Sequence, residues 1–161
     1  MQTTGSGGAL EDGRTAAGPA RSPVAQLRRL RLAGVPKPVA RAREFTSRAL
    51  ADWAGPGSSA EAERDVVLLV AELVSNAVMH AGGALELALS ARTGRLRIEV
   101  GDGSPALPAL RTPRPPASPG GHGLLIVERL ACRWGVEPRG PGKTVWAETG
   151  IPGRPPAADC A

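Results

Sequence analysis

From Val66 to Ala81 the chain is mostly apolar and is not interrupted by Gly or Pro, a pattern that predicts a helix. Val66, Leu69, Val70, Leu73, Val74, Ala77 and Val78 supply its core-facing positions. Glu72, Asn76 and His80 follow one another at intervals of four residues, so a carboxylate, an amide and an imidazole share one face. Ser58 or Ser59 is placed to cap this helix, with Glu61 and Glu63 in the first turn, where carboxylates complement the helix dipole. Gly82-Gly83 end it. A helix with so apolar a face and a polar stripe through it lies at an edge or lines a site.

The same patterning predicts the remaining elements. Val24 to Leu32 alternates apolar residues with Arg28, Arg29 and Arg31, the pattern of an edge strand. Gly34-Val35-Pro36-Lys37-Pro38 turns the chain, and a proline there opens a helix well. Val39, Ala42, Phe45, Ala49, Leu50 and Trp53 then recur at helical spacing. Leu85, Leu87 and Leu89, and after Thr93-Gly94 the residues Leu96, Ile98 and Val100, read as an antiparallel hairpin. The hairpin ends in Gly101-Asp102-Gly103-Ser104. Leu124 to Ala131 reads as a short helix, Arg133 to Glu137 as a strand, and Lys143 to Thr149 as a last strand. The order β-α-α-β-β-loop-α-β-β predicts an α+β chain, a two-layer sandwich with helices on one face of a mixed, mostly antiparallel sheet.

Residues 1–23 are polar and Gly-rich and are expected to be a disordered leader, residues 24–149 to be the domain, and residues 150–161 to be a disordered tail. Residues 104–119 contain six of the sixteen prolines and are expected to be a lid-like loop. The single Phe, three Trp and absence of Tyr require an aliphatic core. The net charge of +5 raises nucleic acid as a ligand, but the arginines are scattered and aromatic platforms for bases are scarce, which argues against direct nucleic-acid binding. Cys132 and Cys160 have no metal-ligand or redox spacing; Cys132 reads as a small buried hydrophobe and a disulfide is not expected. No signal peptide is apparent, and no apolar run reaches the roughly 20 residues of a membrane span. A cytoplasmic chain that does not enter membranes is the expectation.

Several polar features suggest one chemistry. Glu72 and Asn76 offer oxygen donors suited to a hydrated magnesium ion. Asp102, between two glycines, can accept a hydrogen bond from the exocyclic amine of a base. Gly121-His122-Gly123 feeds a helix N-terminus, a ready site for phosphate. Gly142-Lys143-Thr144 enters the last strand. Alone, each is weak. Gly121-His122-Gly123 lacks the third glycine of a dinucleotide fingerprint, and Gly142-Lys143-Thr144 lacks the first glycine and the following helix of a P-loop.

Their joint order is more specific. With Glu72-x-x-x-Asn76-Ala77-x-x-His80-Ala81, Val100-Gly101-Asp102-Gly103-Ser104, Gly120-Gly121-His122-Gly123-Leu124-x-x-Val127, Trp134-Gly135-Val136 and Gly142-Lys143-Thr144-Val145-Trp146, the chain from about Leu30 to Thr149 resembles the GHKL ATPases of the Bergerat ATP-binding fold. Within them it resembles the anti-sigma-factor serine/threonine kinases of the RsbW/SpoIIAB type, in the short actinomycete form. The resemblance implies ATP and magnesium as cofactors. It also implies that Asn76 holds the magnesium and that Glu72 is the general base. Asp102, with Gly103 beside it, would bind the adenine amino group. Gly121, His122, Gly123 and Leu124 would wrap the phosphates, and Thr144 would support the adenine site. A sigma factor and a STAS-type anti-anti-sigma protein are the implied partners, and a homodimer through the outer sheet surface or the first helix is compatible with it.

Two departures stand out. The family's Asp-x-Gly-x-Gly reads Asp102-Gly103-Ser104-Pro105 here, and the following lid is proline-rich. Both touch the part that folds over the phosphates, so an alternative is an ATP-binding regulator that controls a partner by binding alone. A histidine kinase split from its dimerisation domain is disfavoured, because residues 1–23 cannot form a helical hairpin with a phosphoacceptor histidine.

Overall fold

The structure is a computed structural model that describes residues 25–107 and 123–160. The leader expected over residues 1–23, and most of the proline-rich loop, lie outside the described residues.

The elements follow in the expected order: β1 (Gln26–Arg31), α1 (Pro38–Trp53), α2 (Ala60–His80), β2 (Ala84–Arg92), β3 (Arg95–Asp102), α3 (Gly123–Leu130), β4 (Arg133–Arg139) and β5 (Gly142–Gly150). The five strands form one sheet in the order β1-β2-β3-β5-β4. All four pairings are antiparallel, so the sheet has no parallel strand among the described residues. The helices pack on one face, giving the two-layer α+β sandwich.

The local chemistry explains the boundaries. Pro38 occupies the first turn of α1, where its missing N–H costs no helical bond. At α2, the Ser59 hydroxyl accepts from the Ala62 N–H at 3.1 Å, and Gly82 beyond its end takes a φ of 74°. Between β2 and β3, Thr93 and Gly94 form a two-residue turn with φ of 42° and 75°, the geometry that matches strand twist.

The core is aliphatic, as the composition requires. Leu69, Val70, Leu73 and Val74 from α2 meet Leu87 and Leu89 from β2 and Leu96, Ile98 and Val100 from β3, with Leu50 and Trp53 of α1 beside them. Leu85 breaks the expected alternation. Ala84 pairs with Asp102 and Glu86 with Gly101, so Leu85 is an extra residue in a β-bulge and is exposed. The bulge keeps Ala84 on the helix-facing side, opposite Asp102.

Two expectations are corrected. Past Gly150 the chain is not loose: Pro152 accepts from the Gly55 N–H at 2.9 Å, Arg154 donates to the Trp53 carbonyl at 2.6 Å, and Ile151 is buried. Proline content removes helix and ladder bonds but does not prevent docking against a surface. Cys132 is not a buried free thiol either. It is exposed and joined to Cys160 in a disulfide with a Cα–Cα distance of 5.1 Å. Such bonds persist under oxidising conditions; linear spacing could not reveal this one, because the terminal segment returns to the start of β4 only in three dimensions.

Candidate functional site

The helix-facing side of the sheet and the space under α3 hold several of the polar residues singled out above. Glu72 and Asn76 lie one turn apart on α2, both half-buried. His80, the third member of the stripe, is exposed near the helix end. Gly123, the first residue of α3, sits directly on the other two. A Cβ placed there would lie 2.9 Å from the Glu72 Oε2 and 3.0 Å from the Asn76 Oδ1. A side chain at this position would require the Glu72 and Asn76 ends to shift, so glycine permits the close approach as it stands. The apolar face of α3 closes the contact, with Val127 in the core and Leu124 half-buried.

Asp102 ends β3 on the same side of the sheet as Val100 and Ile98 and is 4% exposed. Its Oδ1 accepts from the Ser104 N–H at 2.9 Å and from the Lys143 Nζ at 3.0 Å. The same Nζ donates to the Ser104 carbonyl at 3.0 Å. Gly142 packs so closely on the Asp102 carbonyl and the Gly103 Cα that no Cβ fits. The Asp102-Gly103-Ser104 turn is therefore held from below by the start of β5.

Thr144 is not hydrogen-bonded into this cluster. Asp102 pairs with Lys143, and Thr144 pairs with Gly101, so strand alternation turns Thr144 to the outer face. There it is buried and its hydroxyl has no hydrogen-bond partner among the described residues. It lines an open groove of about 300 Å³ with Asp102 and Lys143 as well as Arg29, Glu86, Glu99 and Arg139. Lys143 is the residue that sequence reasoning missed. The signal was present: Val145 and Ala147 belong to the core, and counting back by two from them puts Lys143 on the helix-facing side and Thr144 on the other. Gly121 and His122 lie outside the described residues.

The outer face carries an ionic network rather than a free basic patch. Arg97 stacks 4.3 Å above the Trp146 ring and donates to Glu148 at 3.2 Å and to Glu137 at 3.0 Å. Arg133 reaches Glu148 at 2.6 Å, and Arg95 binds Glu148 and Asp159. In β1, Arg29 on this face pairs with Glu86, while alternation turns Arg28 to the helix side, where it pairs with Asp52 and lies over Trp53 of α1. Burial pushes the Glu148 carboxyl up, but hydrogen bonds from Arg133 and Arg97 outweigh it and hold its pKa below the usual value. The resulting stability is present above the ordinary carboxylate pKa and is lost as pH falls through the lowered folded value. Acid titration of the unfolding free energy is expected to show a decline beginning below about pH 4.3, and Glu148→Gln is expected to flatten it. Equal slopes for the two proteins would show that Glu148 is not the group responsible.

An antiparallel sheet backed by two long helices, with a carboxylate and an amide under the start of a third, defines an α+β sandwich consistent with the GHKL ATPase fold. Residues 34–149 match the family profile described as the histidine kinase-like ATPase domain. The chain belongs to that family. Comparison with curated proteins finds no match. Among the described residues, no helix is long and apolar enough to cross a membrane.

Proposed function

We propose that the chain is an ATP-binding serine/threonine protein kinase acting as an anti-sigma factor, which phosphorylates a serine of a STAS-type anti-anti-sigma protein and sequesters a sigma factor. One observation carries the catalytic part of this reading: the start of α3 is seated on Glu72 and Asn76 through Gly123. That seat brings a carboxylate, an amide oxygen and a helix N-terminus to one place, and phosphoryl transfer requires little more than positioned donors and charge neutralisation.

The donor set fits magnesium, since an amide and a carboxylate oxygen are hard ligands and the ion keeps several waters. Asn76 would hold it. Bound there, magnesium would neutralise charge on the transferring phosphoryl group. Glu72, one turn away, accepts the proton of the incoming serine hydroxyl. The first N–H groups of α3 face the phosphates. Asp102 accepts a hydrogen bond from the adenine amine, and its burial removes competing water. The partner assignments rest on the resemblance of the motifs to the anti-sigma kinases.

ATP with magnesium is expected to raise the melting temperature, because a ligand that binds only the folded state stabilises it, by about 2.7 kcal/mol at a hundredfold excess over Kd. Asp102→Asn, which puts an amide donor where the adenine amine must donate, should remove most of that rise. Differential scanning fluorimetry of both proteins checks it. No ATP-dependent rise in the wild type would overturn the proposal. A rise without labelled phosphate reaching a cognate antagonist would reduce it to regulation by binding.

A further inference from the structure

Among the described residues Lys143 is the one buried cation of the helix-facing side, and the function proposed above gives it no role. Its side chain is 7% exposed and that of Asp102 2%, so the ion pair between them is largely buried at the edge of the groove that both residues line. A lysine ammonium has three donors. Two of them are spent on the two ends of a single turn, the Asp102 Oδ1 and the Ser104 carbonyl, each at 3.0 Å. The Asp102 Oδ1 takes a second donor from the Ser104 N–H. No described residue donates to the other oxygen, Oδ2. Gly142, packed on the Asp102 carbonyl, fixes the backbone from which both side chains project.

We infer that Lys143 is a specificity-determining positioning residue: it saturates the Asp102 Oδ1 and ties down Ser104, so that Oδ2 is presented in one direction as an acceptor for a base bearing an amino group. This deepens the proposed ATP site and rests on that reading. A carboxylate held this way rewards adenine, whose exocyclic amine donates, over a purine with hydrogen at that position. It penalises a purine with a carbonyl there, because two acceptors would face each other and a buried acceptor left without a donor is costly. The same contact explains how the turn holds its shape with Ser104 where the Asp-x-Gly-x-Gly pattern has its first glycine. Lysine supplies, from the neighbouring strand, a restraint on the Ser104 carbonyl.

The test compares affinities for ATP and for purine riboside 5′-triphosphate, which lacks only the amino group, by calorimetry with magnesium present. The wild type is expected to favour ATP by about tenfold or more, the worth of one hydrogen bond to a charged group. Lys143→Met, which keeps the reach of the side chain but has no N–H donor, should bring the ratio close to one. If that variant does not fold, Lys143→Arg decides: its longer planar fork seats elsewhere, and the ratio should fall several-fold. A residue that only supported the fold would change both affinities together, so an unchanged ratio in a folded variant overturns the inference. A wild type that binds both nucleotides equally overturns it too, while leaving ATP binding intact. A wild type that binds neither sinks the ATP-site reading itself and this inference with it.

Discussion

Glu72→Gln is expected to lower phosphoryl transfer to the acceptor serine by about 10²–10⁴-fold, the usual worth of a positioned general base, while ATP affinity changes little. Glutamine keeps the length and planar end of the side chain, so the seat for α3 survives. The Glu72 Oε2 lies close beneath the start of α3, where a Cβ on Gly123 would come within 2.9 Å of it, and glutamine adds no heavy atom there. What glutamine loses is the capacity to take a proton. Single-turnover transfer from labelled ATP, measured beside the ATP dissociation constant, separates the two roles. Unchanged transfer would remove Glu72 from the chemistry. Parallel loss of transfer and affinity would make it a binding residue instead.

Reducing the Cys132–Cys160 disulfide is expected to lower the unfolding free energy by about 3–4 kcal/mol, the chain-entropy value for a loop of this size. The bond spans 28 residues and anchors the terminal segment at the junction between α3 and β4. The contacts that remain after reduction are weaker. Asp159 bonds to Arg95 and Arg133 at the surface, where ion pairs contribute about 0–1 kcal/mol, and Arg154 makes a single bond to the Trp53 carbonyl. Urea unfolding of the oxidised protein and of Cys132→Ser provides the comparison. Equal midpoints would mean that the segment stays docked without the bond. A free thiol count of two in the purified protein would show that the bond does not form.

Most of the fold could be read from the chain because its elements repeat on short periods. The Val66–Ala81 pattern, its serine cap and its terminal glycines each constrain α2 locally, and the Thr93-Gly94 step between alternating segments specifies the hairpin. Leu85 was misplaced for the opposite reason. Its alternation is regular in sequence, and only the pairing with β3 shows that one residue is inserted.

The candidate site divides along the same line. By itself the sequence determined that Glu72 and Asn76 share a helix face, that Asp102 ends a strand in a tight turn, and that Gly123 opens a helix, because each depends on neighbours within a few residues. Tertiary structure alone decided that Gly123 rests on Glu72 and Asn76, that Lys143 is in register with Asp102, and that Cys132 meets Cys160. The first needs two helices to pack, the second needs a strand register, and the third needs the tail to fold back. In each case the contact joins residues at least 28 positions apart, and no local propensity encodes a distance of that kind.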